Sequence, residues 1–266
     1  MKLAFIGGGN MAEAILSAIL AKGLAKADEV KVSDVVESKR TILKQKYQIE
    51  VTDNNIEAVK GKDIVILAIK PQIFAEVAPQ LIGQLKTGQL VISILAGKNI
   101  KTLSSGLAHD CIVRSMPNTP AQIGEGMTVW TATPQVQPQQ KAWTASILGV
   151  MGQEISVDDE KYLDMATAVS GSGPAYVFLW VEAMTEAAVK LGFTPEVANK
   201  LVMQTLLGSA HLLQKSGKAP AELRRMVTSP GGTTAEALGV FEKGGFNALV
   251  SQAVTAAYEK AKKLGS

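Results

Sequence analysis

Ser229, Thr233 and Thr234 place three hydroxyls in one six-residue turn, Ser229-Pro230-Gly231-Gly232-Thr233-Thr234, which leads into a helical pattern. Pro230 fixes one φ, and Gly231-Gly232 allow positive φ or a close approach by a ligand. Thr233 followed three residues later by Glu236 has the spacing of a capping box, so a helix is expected to start here. No acidic residue lies between Thr228 and Ala235 to compete for the first backbone N–H groups. Free amides, the positive end of a helix dipole and nearby hydroxyls suit a small anion such as a carboxylate. An ordinary capped turn would use the same residues, so the functional reading needs support from elsewhere. Other catalytic patterns are missing. The two histidines, His109 before a strand and His211 within a helix, read as structural. No Ser-His-Asp order, His-Glu-x-x-His motif or acidic cluster with metal spacing is present, so no metal site is expected.

That support comes from the amino-terminal half. Leu3-Ala4-Phe5-Ile6 is a continuous apolar run, as expected of a strand buried on both faces of a parallel sheet. It ends at Gly7-Gly8-Gly9-Asn10-Met11-Ala12, which matches G-x-G-x-x-A through Gly7, Gly9 and Ala12, and a helical segment from Ala12 to Lys22 follows. Strand, glycine turn and helix in this order make the dinucleotide-binding fingerprint: Gly7 for the turn, Gly9 for pyrophosphate approach, Ala12 for helix–strand packing. A second strand, Val30 to Ser33, ends at Asp34, 25 residues beyond Gly9. An acid in that place bonds the adenosine ribose and repels a 2′-phosphate, which favours NADH. Ser33, Ser38, Lys39 and Arg40 could instead supply phosphate donors, so NAD and NADP both stay open. The pattern repeats with strands at Ile64–Ala68, Leu90–Ile94 and Ile112–Met116, and a helix follows the first of these to about Lys86. Ligands of such sheets sit beyond the carboxyl ends of the strands. That singles out Ala68-Ile69-Lys70-Pro71, Ile94-Leu95-Ala96 and Pro117-Asn118. Val129–Thr131 and Ile155–Val157 read as further strands flanking a helix from Val136 to Val150.

After Val157 the alternation stops. Helical patterns run over Ala175–Lys190, Pro195–Lys215, Ala219–Val227, Thr233–Lys243 and Asn247–Leu264. The first is apolar nearly all the way round, which marks a buried helix or one packed on a second subunit. The fold class expected is therefore α/β: a Rossmann-type domain with a mostly parallel sheet over residues 1–157, then an all-α domain over residues 158–266. A net charge of +3 with scattered lysines gives nucleic-acid binding little support. One cysteine, Cys111, leaves no disulfide framework. No membrane span or targeting segment is read, and a cytoplasmic protein is expected.

A dinucleotide fold without a histidine base limits the chemistry. Hydride transfer that starts by taking a proton from an alcohol wants a placed base. Reduction of an already protonated imine wants less: a nicotinamide over the carbon, a hydroxyl near the nitrogen and an anion site for the substrate's handle. The Ser229–Thr234 turn offers hydroxyls and amides of that kind.

Gly7-Gly8-Gly9-Asn10-Met11-Ala12, Lys70-Pro71-Gln72, Met116-Pro117-Asn118-Thr119-Pro120, Ser170-Gly171-Ser172-Gly173-Pro174-Ala175-Tyr176-Val177-Phe178 and the Ser229–Thr234 turn together resemble the pyrroline-5-carboxylate reductases, nearly end to end and in that family's order. The resemblance implies hydride transfer from NADPH or NADH to the C=N carbon of 1-pyrroline-5-carboxylate, giving L-proline. It implies a homo-oligomer built on a dimer through the helical domain, with a decamer as a larger ring. By the same resemblance Ile6, Gly7, Gly8, Gly9, Asn10 and Met11 wrap the pyrophosphate, and Asn55 reaches the adenosine end. Ala68, Ile69, Lys70, Pro71, Ile94, Leu95, Ala96, Pro117 and Asn118 line the cofactor. Thr234 matches the hydroxyl that bonds the ring nitrogen. Thr233 and Gly232 hold the substrate carboxylate with Ser229 in support, and Glu160 matches an acidic position near the substrate. Leu95 and Asp34 depart from the small residues common at those positions. A β-hydroxyacid-type dehydrogenase would want a lysine mid-way along the first long helix, and Lys190 lies at its end. A non-catalytic nucleotide-sensing or scaffold oligomer would be expected to lose the Ser229–Thr234 turn, which is intact.

Overall fold

The computed structural model describes residues 1–265. Eight strands form one sheet: β1 (Leu3–Ile6), β2 (Val30–Ser33), β3 (Glu50–Thr52), β4 (Ile64–Leu67), β5 (Leu90–Ser93), β6 (Ile112–Met116), β7 (Gly126–Ala132) and β8 (Gly152–Ser156). Their spatial order is β3-β2-β1-β4-β5-β6-β7-β8. β6 and β7 pair antiparallel and every other neighbouring pair is parallel. The strand order reverses between β1 and β4, which opens a crevice at their carboxyl ends.

Apolar residues on both faces explain why the inner strands read as unbroken runs. Along β1, Leu3 and Phe5 enter one core and Ala4 and Ile6 the other. The first core is closed by α1 (Asn10–Ala21), α2 (Glu37–Tyr47) and α6 (Pro138–Gly149), through Ile15, Ile19, Leu43, Ile147 and Leu148. The second is closed by α3 (Asn55–Val59), α4 (Phe74–Leu81) and α5 (Ile100–Leu107), through Val59, Phe74, Leu81, Leu103 and Leu107. Fully burying such a side chain is worth about 1.5–3 kcal/mol, so the two cores fix the sheet and with it the strand ends.

Some boundaries differ from the sequence reading. α1 starts at Asn10, not Ala12, because Gly9 already has the extended backbone of an N-cap. The helix expected to reach Lys86 ends at Leu81, after a short 3₁₀ turn over Pro71–Ile73 has used the residues that follow Lys70. After β8 come α7 (Lys161–Ala166) and a wide helical turn over Thr167–Gly171, in which the Ser172 N–H reaches back to the Thr167 carbonyl.

Residues 1–174 and the carboxyl-terminal stretch from Ala256 onward form one compact unit, and Ala175–Thr255 a second. The second unit holds most of α8 (Gly173–Lys190), α9 (Pro195–Ser216), α10 (Pro220–Met226), α11 (Thr233–Lys243) and the first half of α12 (Phe246–Gly265). Within it only Ala198 and Val202 are buried, while Phe178, Leu179, Val240 and Leu249 are each more than half exposed. The end of α12 belongs to the first unit, where Asn99 Nδ2 donates to the Gly265 carbonyl.

Candidate active site

The turn between β1 and α1 is built for close approach. Gly7 sits at φ +101°, and a Cβ there would lie 2.7 Å from the Ala68 carbonyl oxygen. Only glycine fits where the two strand ends meet. Gly9 faces open space, with no atom within 4 Å of where its Cβ would be. No side chain caps α1, so its first N–H groups stay free beside that space. A pyrophosphate needs this arrangement: backbone accessible at a glycine, free amides behind it, and the positive end of a helix dipole.

A crevice of about 220 Å³ runs past this turn, lined by Gly7, Gly9, Ser33, Asp34, Asn55 and Ala68-Ile69-Lys70, among others. Asp34, at the end of β2, has its carboxylate anchored at both oxygens. Oδ2 accepts the Gly8 N–H at 2.8 Å and Oδ1 accepts the Val36 N–H at 2.9 Å. Lys39 Nζ stands 3.7 Å from Oδ2 and is half exposed. Arg40 is committed elsewhere, donating to the Asp34 carbonyl at 2.7 Å. Ser33 Oγ donates to Asn55 Oδ1 at 2.6 Å, and Asn55 Nδ2 donates to Gln80 at 3.0 Å. The donor set, one carboxylate with an amide and a hydroxyl, suits a ribose edge.

Residues 160–264 match the family described as pyrroline-5-carboxylate reductase dimerisation, and residues 2–97 match NADP oxidoreductase coenzyme F420-dependent. Over 265 residues the chain is 40% identical to a pyrroline-5-carboxylate reductase from Synechocystis, covering 100% of this chain and 98% of the relative. The chain belongs to the pyrroline-5-carboxylate reductase family. The solved reductase from Coxiella burnetii superposes with a TM-score of 0.92 at 38% identity, covering 100% of this chain and 98% of that one. The Plasmodium falciparum pyrroline carboxylate reductase, solved with NADP bound, gives a TM-score of 0.90 at 34% identity, covering 100% and 98%.

Within this member of the family, the other predicted cofactor residues lie along the same strand ends. Ile6 closes β1 inside the core, and Asn10 and Met11 open α1. Pro71 begins the 3₁₀ turn that follows exposed Lys70. Ile94, Leu95 and Ala96 follow β5; Leu95 is only 2% exposed and its side chain belongs to the core. Pro117 and Asn118 follow β6, and Asn118 is a clamp. Its Nδ2 donates to the Ser170 carbonyl at 3.0 Å, and its Oδ1 accepts the Met127 N–H at 2.8 Å.

In the helical unit, Gly231 takes φ +68° and the Gly232 N–H bonds the Ser229 carbonyl at 3.1 Å. The capping box expected between Thr233 and Glu236 does not form: Gly232 is the N-cap, and no side chain caps α11. The Glu236 N–H bonds the Gly232 carbonyl. The amides of Thr233 and Thr234 are thus first-turn donors without a helical acceptor, beside the hydroxyls of the same residues.

Glu160 is not a free acid. Its Oε1 accepts the Arg114 Nη1–H at 2.8 Å and the Ile100 N–H at 2.7 Å. Arg114, inside β6, was missed by sequence reasoning, although one charge within Ile112-Val113-Arg114-Ser115-Met116 signals a buried counter-ion. Cys111 offers no covalent chemistry: burial pushes its thiol pKa up, which disfavours the nucleophilic thiolate.

Proposed function

We propose that this chain reduces the C=N bond of 1-pyrroline-5-carboxylate to give L-proline, with NADPH or NADH as cofactor. Full-length likeness to pyrroline-5-carboxylate reductases carries the reading. The reduced dinucleotide supplies a hydride to the ring carbon. The chain's own part is to hold and orient. The Gly7–Met11 turn and the free end of α1 suit the pyrophosphate, and Asp34 and Asn55 the adenosine end. The strand ends at Ala68–Pro71, Ile94–Ala96 and Pro117–Asn118 line the remainder. Free amides at Thr233 and Thr234, beside Gly232 and supported by Ser229, are suited to the substrate carboxylate, and the Thr234 hydroxyl to the ring nitrogen. Glu160 acts on the substrate side through its neighbours rather than as a free acid.

The helical segment from residue 158 is read as a dimerisation domain within a homo-oligomer. Its match over residues 160–264 and the exposed Phe178, Leu179, Val240 and Leu249 support a second copy as the covering partner. A decamer is the larger assembly in this reading. Among the described residues no helix is long and apolar enough to cross a membrane. The reaction is read as cytoplasmic, where a lone buried thiol stays reduced.

The deciding experiment follows oxidation of NADH and of NADPH by the purified protein, with and without 1-pyrroline-5-carboxylate. Substrate-dependent oxidation with proline as product is expected. Binding of either dinucleotide without turnover would overturn the reading and favour a non-catalytic role.

A further inference from the structure

Among the described residues, Arg114 is the one guanidinium buried in the sheet. Its side chain is 4% exposed, and its two terminal nitrogens divide between two carboxylates, Nη1 to Glu160 and Nη2 to Asp164, each at 2.8 Å. The acids lie one turn apart at the start of α7, so a planar fork spans them and a lysine ammonium could not. The Glu160 oxygen that takes Arg114 also takes the Ile100 N–H, the first amide of α5. One carboxylate therefore joins β6, α7 and α5.

These three elements lie on the β5–β6 side of the sheet, beyond the residues that line the 220 Å³ crevice. α5 starts just after the Ile94–Ala96 loop at the end of β5. β6 ends at Pro117-Asn118. α7 leads through the wide turn Thr167–Gly171, whose Ser170 carbonyl Asn118 holds. Gly171 packs so closely on this strand end that a Cβ there would lie 2.9 Å from Met116 Cε. The adenosine half of a dinucleotide belongs at β2, on the other side of the β1/β4 reversal, so the reacting half extends over β4, β5 and β6. The cluster thus ties together the segments that surround the reacting ring and touches nothing at the adenosine end.

Burying a guanidinium against two partly exposed carboxylates is a poor way to add stability, because well-packed apolar residues often do as well. What the network supplies is direction. Two charge-assisted N–H···O bonds from one planar guanidinium to two carboxylates, with a shared amide, fix the angle of α7 and the start of α5.

We propose that Arg114, with Glu160 and Asp164, is a positioning cluster that sets the hydride-transfer end of the dinucleotide site, at the strand ends of β5 and β6. The proposal rests on the reductase reading above. Loosening the cluster shifts the reacting ring relative to its target carbon while the adenosine and pyrophosphate contacts persist. It therefore lowers kcat and leaves dinucleotide affinity intact.

Two variants test this. Glu160→Gln keeps the shape and an acceptor for Ile100 but removes the charge. The triple variant Arg114→Met, Glu160→Gln, Asp164→Leu removes the network and leaves no unpaired buried charge. Wild type and both variants are compared by thermal melting and by dinucleotide dissociation constant without substrate. They are also compared by kcat and KM with 1-pyrroline-5-carboxylate, and by the primary isotope effect from dinucleotide deuterated at the transferred position. The expected result is a roughly tenfold fall in kcat, since small misplacements are expensive in hydride geometry. Dissociation constants should stay within about twofold, and the isotope effect should rise as the chemical step becomes rate-limiting. A kcat within about twofold of wild type in the folded triple variant would overturn the proposal. So would a weakened dissociation constant at unchanged kcat, or a triple variant that cannot fold, which would make the cluster a folding element. An inactive wild type would instead sink the reductase reading, and this proposal with it.

Discussion

Changing Asp34 to serine removes the only carboxylate that lines the crevice among the described residues. A pyrophosphate at Gly9–Asn10 would bring the adenosine ribose to the end of β2, within reach of Asp34. A 2′-phosphate there carries a charge of about −2. At roughly 6 Å from the carboxylate and an effective dielectric of about 40, the repulsion is about 3 kcal/mol. Lys39, 3.7 Å from Oδ2, offsets part of it, and salt screens more. About 2 kcal/mol then separates NADPH from NADH, close to a thirtyfold ratio. Serine also loses the acceptors for the Gly8 and Val36 N–H groups, but that cost falls on both dinucleotides and cancels in the ratio. Lys39, released from Asp34, becomes free to pair with the phosphate. The assay is kcat/KM for each dinucleotide at fixed ionic strength, backed by dissociation constants measured without substrate. The NADPH/NADH ratio should rise by roughly ten- to thirtyfold. Asp34→Asn, which changes the charge and keeps the shape, should move it in the same direction. A ratio that shifts by less than about threefold, or toward NADH, would show that Asp34 does not read the ribose edge.

Four other substitutions probe the rest of the site and its frame. Thr234→Ala should cut kcat/KM by roughly 10–100-fold while the melting temperature holds, and unchanged kinetics would remove this hydroxyl from the reaction. Gly7→Ala should cost about 2 kcal/mol or more in urea unfolding, because its Cβ meets the Ala68 oxygen at 2.7 Å and its φ is +101°. Gly9→Ala enters open space and should cost no more than about 1 kcal/mol, yet it should weaken dinucleotide binding, seen by titration. Glu13 tests pH dependence: the hydrogen bond from Lys46, helped by Tyr47 and opposed by burial, holds its carboxyl below the ordinary value. That share of stability is present above the ordinary carboxylate range and lost as pH falls through the lowered value. Glu13→Gln should therefore melt a little lower than wild type near neutral pH, with the gap closing in acid, as paired thermal melts would show.

How far the sequence disclosed this fold depended on burial. β1, β4 and β5 are covered on both faces, so their apolar runs stand out, as does the glycine turn between β1 and α1. β3 is a three-residue edge strand, Glu50-Val51-Thr52, too short and too exposed to differ from a loop. α2 went unread because Leu43 is its only buried residue, leaving no periodic stripe. Strand direction is a property of pairing and not of composition, so the reversed β7 could not be inferred from Val129–Thr131. At the turn before α11, Thr233 and Glu236 have capping-box spacing, yet an extended Gly232 takes the cap and shifts both residues inside the helix. Arg114 was visible as a charge in an apolar strand, but its partners lie 46 and 50 residues away, beyond the reach of local patterns.

The helical unit has a further consequence, for the quantity of protein as well as its form. With only Ala198 and Val202 buried among residues 175–255, these helices gain little by folding alone. Whatever covers Phe178, Leu179 and Leu249 binds the folded helices and not the unfolded chain, so the covering agent acts as a ligand of the native state. Each tenfold rise in its free concentration above the dissociation constant adds about 1.4 kcal/mol to the native side. When that agent is another copy of the same chain, the folded fraction rises with total chain and falls on dilution. Halving synthesis then removes more than half of the working protein.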